Sequence, residues 1–165
     1  AKNKMYLFDR LENEDSVEHT NVIQMMQDGV YTIEHIMPQT LSNAWKKDLG
    51  TNYLEIHDKW INRLANLTLT GYNSQYSNRP FLEKRDTEKG FKDSHLHINA
   101  EIAKCEKWTE DEIIQRNNLL KQISFNSSLN DTLDIWDQQL CEYGTKIIEG
   151  RAQFLSERYT QRNTQ

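Results

Sequence analysis

The chain has 165 residues, enough for one ordinary domain with a core of its own and too few for two. Its apolar fraction of 36% is low, but four Trp, seven Tyr and five Phe supply bulky anchors that a disordered chain lacks, so it is expected to fold. A net charge of −5 excludes a protein that grips nucleic acid by charge alone, and no apolar run approaches the roughly 18 residues that a membrane span needs.

The first segment, KNKMYLFDRLE, places Tyr6, Leu7, Phe8 and Leu11 at helical spacing over residues 4–12. It carries no signal-peptide pattern, and its abrupt helical start leads to the expectation of a C-terminal piece of a longer cytoplasmic chain. Cys105 and Cys141 have neither metal nor redox spacing, in keeping with a reducing compartment. After a polar stretch, Asp28-Gly29 signals a turn, and residues 31–36, rich in aromatic and β-branched side chains, predict a strand. From Leu41 to Leu64 the pattern is helical, with Trp45, Leu49, Tyr53, Leu54, Trp60 and Leu64 as candidate buried positions and Gly50 as an interruption.

A second strand is predicted at 67–70, followed by a turn at Gly71 and a short helix from Asn73 that Pro80 breaks or restarts. Beyond Gly90 the chain reads as helical. TEDE at 109–112 is a capping box, after which Ile113, Ile114, Leu119, Leu120 and Ile123 mark one apolar face. A last long helix is predicted over about 133–159, carrying Trp136, Leu140, Ile147, Ile148, Phe154 and Leu155. The expected class is therefore α+β: one mostly helical domain over 1–165, with two short antiparallel strands and a helix in a core at 31–90 and a helical extension at 91–160.

The two prolines each sit in a dense polar cluster, IEHIMPQ at 33–39 and ANLTLTGYNSQYSNRPFLEKR at 65–85. Glu34 and His35 are adjacent on a strand, so their side chains point to opposite faces unless the strand bends or ends, and Pro38 favours an ending. A histidine at a strand end is suited to take a proton from water, given an ordinary pKa of about 6.5, although most exposed histidines are structural or solvated. Asn73 with Ser77, or Ser74 with Asn78, stand four apart and would share a helix face. Neutral oxygens of this kind beside a carboxylate suit a hard cation such as Mg²⁺.

The competing reading of these asparagines is turn and cap chemistry, with Asn78 as a cap ahead of Pro80. Residues 79–92 hold Arg79, Lys84, Arg85, Lys89 and Lys92 against Glu83, Asp86 and Glu88. Charge alone leaves a phosphate-contacting patch and a solvated helix face equally open. His95 and His97 alternate without a third metal ligand, His57 reads as a packing or surface residue, and Trp45, Trp60, Trp108 and Trp136 read as core anchors.

EHIMPQ, the following Trp45 and Leu49-Gly50, and NLTLTGYNSQYSNRPFLEKR resemble the C-terminal nuclease domain of GmrSD-type, modification-dependent (type IV) restriction proteins. That domain is a divergent member of the His-Asn-His, or ββα-metal, superfamily. FKDSHLHIN at 91–99 and WTEDEIIQRNNLL at 108–120 extend the resemblance to roughly residues 31–120. It implies His35 as general base, Asn66 as the residue bracing the loop that carries the base, Glu34 as an acidic metal ligand, and a further ligand near Gln75, where Asn73 and Asn78 stand on either side and Asn73 is preferred. It also tips Lys84 and Arg85 toward DNA contact.

The implied activity is DNA phosphodiester hydrolysis with one Mg²⁺ or Mn²⁺ in an anti-phage restriction system. The implied partners are modified phage DNA and an N-terminal nucleotide-hydrolysing domain that recognises it. Two alternatives stand beside this reading: a catalytically silent interaction module, which the acidic charge favours, and an RNase of the same superfamily.

Overall fold

A computed structural model describes residues 2–14 and 16–125. The expected terminal helix at 133–159, with Trp136 and Cys141, lies outside the described residues.

Helix α1 (Lys2–Asn13) and the short α2 (Val22–Gln27) come first, and the chain turns at Gly29 with φ +72°, a backbone region open to glycine at little cost. Strand β1 (Thr32–His35) pairs antiparallel with β2 (Leu67–Thr70), with His35 opposite Leu67 and Glu34 opposite Thr68. The insertion between them is helical, as the Trp and Leu spacing predicts: α3 (Asn43–Leu49) and α4 (Tyr53–Trp60) are separated by Gly50, which caps α3 at φ +79°. Leu54, read as a buried position, is instead 68% exposed, because Ile56 and Trp60 form the inward face of α4.

After β2 come α5 (Asn73–Tyr76) and α6 (Phe81–Asp86), then α7 (Ala100–Lys104) and α8 (Glu110–Phe125). The Thr109 backbone N–H donates to the Glu112 carboxylate at 2.8 Å, as a capping box requires. The inward face of α8 is narrower than its apolar residues suggest. Ile113, Arg116 and Leu120 are buried, whereas Ile114 and Leu119 are more than a third exposed.

The buried apolar side chains of the described residues form two clusters. One gathers Trp45, Trp60 and Trp108 with Ile36, Met37, Tyr76, Phe81 and Phe91; the other gathers Leu7, Phe8, Val22, Leu67, Leu69, Leu96 and Leu120, with Ile33 against it. Ile33 thus belongs to one cluster and Ile36 and Met37 to the other, which leaves Glu34 and His35 at the seam. Phe81 stacks on Trp108 with centroids 5.5 Å apart and Tyr76 meets Phe91 at 4.9 Å, contacts that each add about 0.5–1.5 kcal/mol beyond area burial and fix α5 and α6 against the core.

Candidate active site

Strand β1 ends at His35, and the chain bends through Ile36 and Met37, whose side chains are fully buried. The ending breaks the alternation of a strand, so that Glu34 and His35, adjacent in sequence, line one open cavity of about 420 Å³. Asn73, Ser77 and Asn78 line the same cavity, together with Pro38, Gln39 and Thr40. The two polar clusters around the prolines therefore meet in space.

Helix periodicity is not what brings the second cluster in. α5 stops at Tyr76 and Ser77 adopts φ +43°, so the spacing of four from Asn73 to Ser77 or from Ser74 to Asn78 is not carried on one helix. A turn delivers these residues to the cavity instead. Asn78 does not cap α6 either, since Pro80 holds the cap position without a side-chain hydrogen bond. Asn73 is anchored: its Nδ2 donates to the Ile33 carbonyl at 2.9 Å, which leaves the amide oxygen as the end able to accept or ligate.

Asn66 sits just before β2 and is 0% exposed. Its Oδ1 accepts from the Met37 N–H at 2.8 Å and from Trp108 Nε1 at 3.2 Å, and its Nδ2 donates to the carbonyls of Met37 at 2.9 Å and Ile61 at 3.2 Å. Its backbone carbonyl accepts from the Ile36 N–H at 2.9 Å. One fully bonded amide therefore ties the bend after His35 to the segment following α4 and to the core tryptophan. His57 places Nε2 3.0 Å from the carbonyl of Pro38, a residue of the cavity wall, and so ties α4 to that wall.

Lys84 and Arg85, expected at a DNA surface, are turned inward. Lys84 is 0% exposed and donates to Glu34 Oε1 at 2.7 Å, to the His35 carbonyl at 2.9 Å and to the Ile36 carbonyl at 3.1 Å. Its three protons are spent on the segment that carries the histidine. Arg85 is 5% exposed and bonds to the Asp86 carboxylate, to Glu106 and to the Cys105 carbonyl. Both residues follow Phe81 at helical offsets of three and four, the spacing that assigns all three to the inward face of α6. Of the basic residues at 79–92, Arg79, Lys89 and Lys92 are the exposed ones.

Burial raises the pKa of the Glu34 carboxyl and lowers that of the Lys84 ammonium, and each is drawn back toward its charged form by the other. Burial also lowers the pKa of His35 from 6.5; a bond to Asn62 opposes this, and the charges of Lys84, His57 and Lys4 reinforce it. A ring held in this way is neutral at neutral pH, the state a general base requires.

Among the described residues, no group of three or more His, Cys, Asp or Glu side chains is placed to hold a metal. A dication at this cavity would rest on one carboxylate, Glu34, with amide oxygens of Asn73 and Asn78 and water. That all-oxygen, water-rich set suits Mg²⁺ or Mn²⁺ and not zinc. The exposed His95 and His97 lie outside this cavity.

The family model described as "GmrSD restriction endonucleases, C-terminal domain" matches residues 1–123. Curated relatives match over much shorter stretches. The chain is similar to the DNA replication and repair protein RecF of Lachnoclostridium phytofermentans, 61% identical over 41 residues, which is 25% of this chain and 11% of that protein. RecF of Agathobacter rectalis is 49% identical over 45 residues, 27% of this chain and 12% of that protein. The chain thus spans about an eighth or less of the length of these relatives. No solved structure matches it.

Proposed function

The chain belongs to the C-terminal domain family of the GmrSD restriction endonucleases, and from that membership we propose that it is a divalent-metal-dependent DNA endonuclease of the His-Asn-His type with His35 as general base. The observation that carries this reading is the meeting of Glu34, His35, Asn73 and Asn78 around one open cavity, although they come from segments about forty residues apart. A cavity of about 420 Å³ has room for a phosphodiester and its attacking water.

In this mechanism the neutral imidazole of His35 takes a proton from water as the oxygen attacks phosphorus. Glu34 and the amide oxygens of Asn73 and Asn78 would hold one Mg²⁺ or Mn²⁺, which supplies charge stabilisation at the phosphate and the leaving oxygen. Lys84 holds one oxygen of Glu34 in place and leaves the second for ligation. Asn66 keeps the base-bearing bend from drifting, a service that matters because displacement by about 1 Å can cost on the order of 100-fold in rate.

DNA is proposed as the substrate from the family, and the stretch shared with the DNA replication and repair protein RecF adds a second association with DNA. The net charge of −5 means that binding by this chain alone should be weak, so a separate recognition domain is proposed to deliver modified phage DNA to it. A supercoiled-plasmid nicking assay with Mg²⁺, with RNA offered in parallel, tests the reading. Nicking of DNA that stops with EDTA and with His35→Ala supports it; equal nicking by His35→Ala, or none by the wild type at any metal concentration, refutes it.

A further inference from the structure

We propose that Asn62 is a positioning residue that fixes the tautomer of His35, placing the ring hydrogen on Nε2 and leaving Nδ1 as the nitrogen that accepts the proton from water. The catalytic purpose rests on the nuclease reading above; the tautomer itself rests on geometry. His35 Nε2 lies 3.4 Å from Oδ1 of Asn62, a half-buried residue in the turn after α4. An amide oxygen can only accept, so the nitrogen facing it carries the hydrogen, and a neutral imidazole has only one to place. The bond is long, as catalytic hydrogen bonds often are before substrate tightens them. The reverse orientation of the amide would aim an N–H at Nε2 and move the hydrogen to Nδ1, so the two arrangements predict opposite tautomers.

Asn62 is held where it can act. The preceding carbonyl, of Ile61, accepts from Asn66 Nδ2 at 3.2 Å, and the following residues close their turn through Arg63 N–H to the Trp60 carbonyl at 3.0 Å and Asn66 N–H to the Arg63 carbonyl at 2.9 Å. The same Asn66 amide grips both main-chain groups of Met37, two residues after the histidine. One buried side chain thus sets the bend that bears the base and the turn that bears its orienting residue in a common register.

Lys84 from α6, His57 from α4 and Lys4 from α1 are the charged groups that act on the ring, and Glu34 precedes it in the chain. In a neutral imidazole the choice of tautomer decides which nitrogen is basic.

The test is a long-range proton–nitrogen correlation spectrum of the ¹⁵N-labelled chain at neutral pH without metal or DNA, which reads the protonated nitrogen of His35 directly. The wild type is expected to show the Nε2–H tautomer. Asn62→Ala is expected to show a mixture of tautomers and to lose about 10–100-fold in kcat, the usual scale for removing an orienting partner, with KM little changed. Asn62→Asp, nearly isosteric and so a safeguard against misfolding, is expected to keep the Nε2–H tautomer, because its carboxylate oxygen can likewise only accept. An Nδ1–H tautomer in the wild type, or an unchanged His35 spectrum in Asn62→Ala, overturns the proposal. A chain with the expected spectrum that cuts no DNA would instead sink the nuclease reading and leave the hydrogen where we place it.

Discussion

Replacing Lys84 by Met removes the cation from a salt bridge whose partners are 0% and 5% exposed at the side chain. Solvent screening is slight there, and the Glu34 carboxylate is left buried without its counter-charge, while the His35 and Ile36 carbonyls lose a shared donor. Breaking a buried pair from one side costs about 3–5 kcal/mol, a large share of the roughly 5–15 kcal/mol that holds a domain together. At about 2–4 °C per kcal/mol for a chain of this length, Tm should fall by about 6–20 °C. The assay is urea unfolding at pH 7 and 25 °C, comparing midpoints at constant slope. The double variant Glu34→Gln with Lys84→Met should recover most of the loss, because the orphaned charge is gone. A loss below about 1 kcal/mol for Lys84→Met alone, the scale of an exposed pair, would refute the reasoning that this ammonium is an enclosed clamp.

Because His35 is pushed below 6.5 by burial, the acid limb of kcat/KM, which reports the free enzyme, should have its midpoint under 6.5: the rate falls only as pH drops through the lowered pKa and the base takes a proton. A pH–rate profile with a midpoint above 6.5 would contradict this. Gly90→Ala should lose about 1–3 kcal/mol by thermal unfolding, because a Cβ there would lie 2.5 Å from the Arg85 carbonyl and 2.7 Å from those of Lys84 and Thr87, all main chain that cannot swing aside. Arg79, exposed beside Asn78, should contact a phosphate; Arg79→Ala should reduce the salt slope of DNA binding by about 1 in anisotropy titrations, whatever the sequence of the duplex.

Much of the architecture was legible in the sequence for identifiable reasons. The aromatic and β-branched run before Pro38, the Leu-Thr alternation at 67–70 and the Trp spacing around Gly50 each have a single good solution, and the two strands and the helical insertion follow. His35 and Asn66 could be singled out from the sequence because their motifs are local, the one at a strand end and the other at a strand start. The inward turn of Lys84 and Arg85 was hidden by reading charge before periodicity: their offsets from Phe81 carried the signal, but a buried lysine becomes acceptable only once Glu34 and two free carbonyls are known to lie above it. Asn62 carried no motif. Its neighbour is 27 residues away, and only the return of the chain after α4 brings them together. Asn78 illustrates the opposite error, since the proline two residues on suggested a cap that the turn at Ser77 redirects into the cavity.

Chemical rescue of the missing base tests the account most directly. In His35→Gly the deleted ring leaves a space beside the Glu34 and Asn73 side chains, open to solvent through the cavity they line. With Mg²⁺ present, the variant should not nick plasmid in plain buffer and should regain nicking as imidazole is added, in proportion to its unprotonated fraction. Nicking by His35→Gly at the wild-type rate without imidazole would show that another group activates the water.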